Sequence, residues 1–185
     1  MANKTNKKKK RLIFRSVMLT VMLAAVAFAL YSNFTEDKKD ILQVGDEAPN
    51  FKLKTINVED KEALTLDHFE GKGVMLNFWA DYCPPCKEEM PYMQQLYPEY
   101  KKKGVEILAV NLDQGELVVE NFIDTHDLTF PIVQDKSGQV MELYDVGSLP
   151  ATYFIGPDGE IEHKVIGALT LDKIEGYLQE ITPES

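Results

Sequence analysis

The only two cysteines of this 185-residue chain stand three residues apart, as Cys83-Pro-Pro-Cys86. They follow an apolar run of strand length, Gly73-Val-Met-Leu-Asn-Phe-Trp79, and precede a long helical stretch that begins at Pro84 and extends to about Lys102. The run suits a strand buried in the middle of a parallel sheet. A proline is tolerated in the first turn of a helix, where the N–H it lacks would be unpaired in any case. The pair is therefore expected at a helix N-terminus, where the dipole and free N–H groups favour an anion and lower the pKa of a thiol. The spacing puts Cys86 one turn along, within reach of a Cys83–Cys86 disulfide. Cys83 is expected to be the exposed nucleophile and Cys86 the buried resolver, which closes the ring and expels the substrate thiol.

Other uses of the pair fit less well. A zinc site would need two more ligands from His68, His126 and His163, none of which lies at short spacing, so no metal is expected. A purely structural disulfide across so short a loop would constrain little of the unfolded chain. Redox chemistry is favoured, and it needs no bound cofactor because the two cysteines carry both electrons.

Charge divides the chain sharply. The first 31 residues hold seven Lys or Arg and no acid, whereas residues 32–185 hold 13 basic against 30 acidic side chains, a net of −17. A domain this acidic is repelled by phosphate backbones, so nucleic acid is not an expected partner. The basic residues 1–11 precede an apolar segment, residues 12–31, in which Val17 to Tyr31 is free of charge. Twenty residues are enough to span a membrane if Arg15 snorkels to the interface. The flanking charge orients the N-terminus to the cytoplasm and the domain outside the cell membrane. A cleavable signal peptide is the competing reading, with Ala25-Val-Ala27 or Ala27-Phe-Ala29 before the cut. The apolar run continues past both, which favours an uncleaved signal-anchor.

Residues 32–44 read as a polar linker, and 45–185 as one domain. After the short strand at Phe51–Lys54 and the buried run ending at Trp79 comes the helix, which Pro91 should kink. A second buried strand follows at Val105–Leu112, then a helix from Glu116 to about Asp127 with Val119, Phe122, Ile123 and His126 on one face. A strand at Pro131–Val133 and a brief helix near Gln139–Tyr144 lead to a hairpin. The hairpin joins Ala151–Ile155 to Glu160–Ile166 through Pro157-Asp-Gly159. Leu171, Ile174, Leu178 and Ile181 recur at helical spacing and close the chain. The expected class is α/β, a mixed sheet covered by helices on both faces.

Asn77-Phe-Trp-Ala80, Cys83-x-x-Cys86, Lys87, Pro91 and Leu149-Pro150 before a strand resemble the thioredoxin superfamily, over about residues 45–182. Gly45-Asp-Glu-Ala-Pro-Asn-Phe51, Cys86-Lys-Glu-Glu-Met-Pro91, the N-terminal anchor and the helix–strand insert after Leu112 narrow the resemblance to its ResA-like, extracytoplasmic, membrane-anchored branch. That resemblance implies a thioredoxin-like fold with an N-terminal strand extension. It also implies a cis Pro150 beside the cysteines, with Leu149 offering its backbone to an extended substrate. The implied activity is reduction of the disulfide in apocytochrome c before haem attachment. A CcdA-type membrane donor would supply the electrons, and the protein is expected to act as a monomer.

Two details bear on that activity. Ordinary thioredoxins carry an acid at the position of Asn77; the resemblance moves its proton-transfer role to Glu89, which would have to be buried rather than solvated like Glu88. Pro84 and Pro85 stand where the branch usually has Glu-Pro, and two absent N–H donors leave the Cys83 thiolate less stabilised and the pair more reducing. Trp79 and Tyr82 are expected to flank the site as an apolar docking surface, a reading compatible with their packing over the cysteines. The alternatives are a general or sporulation-related reductase, a thiol peroxidase or a copper-binding module. A peroxidase of the wider group would carry Thr where Ala80 stands, and Cu(I) would want a third soft ligand that the sequence does not show.

Overall fold

The computed structural model describes residues 3–35, 42–112 and 115–184. The chain forms two units, Met1–Asp40 and Ile41–Ser185. In the first, one helix, α1, spans Asn3–Thr35. Among the described residues no helix is long and apolar enough to cross a membrane. The segment expected to do so includes Leu12 and residues 29–31, whose side chains lie outside the described residues, as do residues 36–41 of the expected linker.

The second unit is built on seven strands: β1 (Lys52–Thr55), β2 (Ala63–Thr65), β3 (Gly73–Trp79), β4 (Val105–Asn111), β5 (Ile132–Gln134), β6 (Ala151–Ile155) and β7 (Ile161–Ile166). They form one sheet in the order β2-β1-β5-β4-β3-β6-β7. The three central strands run parallel, with β4 between β3 and β5. β1 and β2 on one side, and β6 and β7 on the other, add antiparallel strands. Four helices follow the chain order: α2 (Pro84–Lys102), α3 (Glu116–Thr125), α4 (Gln139–Leu143) and α5 (Leu171–Glu180).

Strand alternation decides the two cores. Met75 and Trp79 of β3, Ile107 and Ala109 of β4 and Phe154 of β6 point to one face, where α2, α3 and α5 cover them. Leu76 and Phe78, Leu108 and Val110, and Tyr153 point to the other, beneath α4 and a single 3-10 turn at Leu66–Phe69. β3 and β4 are buried at every position, as the apolar sequence of the central strands requires.

One part of the fold was not expected. β2 and the 3-10 turn carry no periodic signal; Ala63–Thr65 becomes a strand by pairing with Lys52–Lys54. Helix α2 runs from Pro84 to Lys102 as expected, with both Pro91 and Pro98 inside it. The hairpin turn is as expected. Gly159, at φ 90°, supplies the positive φ, and Asp158 accepts a hydrogen bond from the Glu160 N–H at 3.1 Å. The segment just before β1 is tied to this hairpin, with Ala48 N–H donating to the Gly159 carbonyl at 2.9 Å.

Candidate active site

β3 ends at Trp79, and a tight turn follows in which Cys83 N–H donates to the Ala80 carbonyl at 3.1 Å. Cys83 is then the N-cap of α2, with Pro84 and Pro85 as the first two helical residues. An N-cap side chain ordinarily accepts from the N–H groups of the first turn. Here two of those groups are absent, and the Sγ of Cys83 accepts from Cys86 N–H at 3.3 Å. Cys83 and Cys86 are joined as a disulfide, with Cα atoms 5.3 Å apart. Cys83 retains 7% exposure and Cys86 none, so the first cysteine is the accessible one. Lys87 and Asp81 pair at 3.6 Å on the rim.

One turn into the helix lies Glu89, which is fully buried, while Glu88 beside it is exposed. Its Oε1 accepts from Asn77 Nδ2 at 2.7 Å and its Oε2 from Leu169 N–H at 3.0 Å. Asn77 Nδ2 also donates to Thr152 Oγ1 at 3.0 Å. That contact follows from sheet register: Asn77 of β3 and Thr152 of β6 are directly paired and share the face toward α2. Removal from water penalises the charged form, and it outweighs the two donated hydrogen bonds. The Glu89 carboxyl is thereby raised from 4.5 to about 7. An acid with that pKa, one helical turn past Cys86, changes its charge near neutrality.

The remaining expected residues are distributed around this centre. The Leu149–Pro150 peptide is cis. Pro150 is buried and Leu149 half-buried. Leu149 lines a groove of about 440 Å³ together with Tyr82, Cys83, Pro84, Pro85 and Met141. Tyr82 is 69% exposed at the groove. Trp79 is not part of that surface. It has no exposure, and its ring packs 4.9 Å from Phe122 of α3, because strand alternation turns it under the helices with Met75 and Asn77. Of the two readings of Trp79, packing beneath the site is the one that holds, and docking is corrected.

The three histidines sit apart from the cysteines. His68 accepts from Thr65 N–H at 3.1 Å, His126 stacks 4.3 Å from Phe122, and His163 pairs with Glu180 at 2.6 Å. Among the described residues no group of three or more His, Cys, Asp or Glu is placed to hold a metal ion. Thr152 and Leu169 were not legible as site residues: their contacts with the Asn77–Glu89 pair depend on register and on a loop, neither of which leaves a local motif.

Comparison with known proteins agrees with this chemistry. The AhpC/TSA family matches residues 44–164. The thiol-disulfide oxidoreductase ResA of Oceanobacillus iheyensis is 60% identical over 98% of this chain and 96% of its own. A ResA of Bacillus cereus is 47% identical over 95% of this chain and 99% of its own. The crystal structure of StoA from Bacillus subtilis superposes with a TM-score of 0.60 at 35% identity, covering 70% of this chain and 96% of that one. With a thioredoxin-like fold, a Cys83–Cys86 pair at a helix N-terminus and relatives this close, the chain belongs to the AhpC/TSA family and, within it, to the ResA-type thiol-disulfide oxidoreductases.

Proposed function

We propose that this oxidoreductase works as a reductant outside the cytoplasmic membrane, held there by residues 12–31. Its client is the disulfide of apocytochrome c before covalent haem attachment, and a CcdA-type membrane donor restores the reduced pair. The observation that carries the reductive direction is the start of α2. With Pro84 and Pro85 in the first two positions, Cys86 supplies the N–H that reaches Cys83 Sγ. A thiolate stabilised by so few donors makes the dithiol form less favourable and the pair a better electron donor. The membrane assignment is supported by the lysine-rich block and the uncharged run Val17 to Tyr31 behind it.

In this mechanism the Cys83 thiolate attacks one sulfur of the client disulfide. A Cys83–client bond forms, the client S–S bond breaks, and the first client thiolate takes a proton from solvent. Cys86 passes its proton to the Glu89 carboxylate and attacks Cys83 Sγ. The Cys83–Cys86 disulfide forms, the Cys83–client bond breaks, and the second client sulfur leaves as a thiolate that takes a proton from solvent, so two electrons have moved from the protein to the client. Tyr82 and Leu149 line the groove in which the client segment would lie beside Cys83. The haem-attachment motif Cys-x-x-Cys-His uses free thiols, which gives the reduction its purpose.

The test is haem attachment in cells. Loss of this protein should abolish covalently bound haem in c-type cytochromes, and an added external dithiol should restore it. Intact haem attachment in its absence would contradict the client assignment and leave a general reductase of exported proteins.

A further inference from the structure

Asn77 is a fully buried amide whose two ends are treated unequally. Both hydrogens of Nδ2 are committed, one to Glu89 Oε1 at 2.7 Å and one to Thr152 Oγ1 at 3.0 Å. Its Oδ1 is buried with no hydrogen-bond partner among the described residues. An amide is nearly symmetric in shape, so the opposite orientation would occupy the same space. That orientation would strand two N–H groups where Oδ1 now sits and press the carbonyl oxygen against the Glu89 carboxylate. One orphaned acceptor is the smaller cost. The amide is therefore a donor of fixed direction.

We infer that Asn77, locked by Thr152, is a positioning residue that holds Glu89 in its carboxylate form, ready to take the proton of Cys86. A carboxylate accepts the Asn77 N–H well. A protonated Glu89 still offers an oxygen to the Asn77 N–H but accepts it more weakly, and for its own O–H the amide has no acceptor to offer unless it turns and orphans both its hydrogens. The amide thus supports the ionised form selectively, against the burial that opposes it, and the Leu169 N–H acts in the same sense. Among the described residues the hydrogen-bond partners of this carboxyl are the Asn77 amide and the Leu169 N–H, and no charged side chain contributes to its shift. The titratable side chains in the core on this face are Cys83 and Cys86, with Tyr97 and Tyr100 further along α2. Thr152 matters because its oxygen receives the second N–H. Without it, turning the amide would strand fewer satisfied bonds.

The inference rests on Glu89 being the proton acceptor, and the experiment separates the two. The readout is the pH dependence of the rate at which the reduced full chain, in detergent, reduces an oxidised Cys-x-x-Cys-His peptide. The wild type should show a break near the Glu89 value of about 7, and Glu89→Gln should lack it. Asn77→Leu, which removes the donor without adding charge, should move the break upward by about one to two pH units, the equivalent of one lost hydrogen bond to a charged group. Thr152→Val should move it upward by less, and Thr152→Ser, which keeps the hydroxyl, should restore the wild-type position. A break that stays in place in both Asn77→Leu and Thr152→Val, while Glu89→Gln abolishes it, would overturn the role of Asn77 and leave Glu89 standing. A break that survives Glu89→Gln would overturn both. Should Asn77→Leu fail to fold, the Thr152→Val and Thr152→Ser pair decides the matter alone.

Discussion

On the face of the sheet beneath α4, the buried tyrosines complete their hydrogen bonds: Tyr144 donates to the Pro49 carbonyl at 2.7 Å, and Tyr153 to the carbonyl of Tyr144. Their rings pack edge to face 5.1 Å apart, with Phe78 beside both. On the face beneath α2 and α5, Asn77 leaves an oxygen orphaned, and Glu89 is an acid buried with amide donors in place of a cation. The same strands, β3 and β6, supply both arrangements from alternate residues. The contrast separates two uses of buried polarity. A satisfied network of neutral groups fixes a packing, whereas an acid buried among neutral donors keeps a pKa near neutral pH because desolvation outweighs those bonds.

Cutting function from one face should leave the other intact. Cys83→Ser is expected to abolish disulfide reduction while the chain still unfolds at nearly the wild-type denaturant midpoint for the reduced protein. Retained activity in a peptide-disulfide assay would remove Cys83 as nucleophile. On the opposite face, Phe78→Ala should cost about 3–5 kcal/mol through the cavity it leaves, yet keep the pH dependence of reduction unchanged.

The acid offers a sharper separation through stability itself. Glu89 has a folded pKa raised from 4.5 to about 7, so the folded state binds the extra proton within that window. Stability is full below the unfolded value, declines as pH rises through the window and levels off above it. The decline should be about 3 kcal/mol in urea titrations of the oxidised protein between acid and alkaline limits. Glu89→Gln should flatten it, and an unchanged slope would place the carboxyl in water. The smallest effect belongs to Tyr153→Phe, which leaves the Tyr144 carbonyl one partner short and should cost about 1–2 kcal/mol with no change in the pH break.

Much of this contrast can be read in the sequence, and the rest depends on tertiary placement. The apolar runs at Gly73–Trp79 and Val105–Asn111 announce central strands because both of their faces are buried. Cys83 at a helix start follows from Pro84 and Pro85. Glu88-Glu89 shows no such sign: which of two adjacent acids is buried depends on helix phase against β3. Thr152 enters the site through its register with Asn77, and β2 exists through its pairing with β1. Trp79 misleads for a related reason. Nearness to the cysteines in sequence suggests a surface, whereas alternation along β3 carries it inward.

Whether the start of α2 makes the pair a reductant, as proposed, is read from the reduction potential of Cys83–Cys86 in the full chain. Trp79 is the only tryptophan, and it is buried in the same core as both cysteines, so its fluorescence can follow the equilibrium with a glutathione or dithiothreitol buffer. A reductant should show a potential near or below that of thioredoxin, about −270 mV. A value near about −120 mV, that of a strong oxidant, would mean that the protein makes disulfides and that two prolines at the helix start do not have the effect assigned to them.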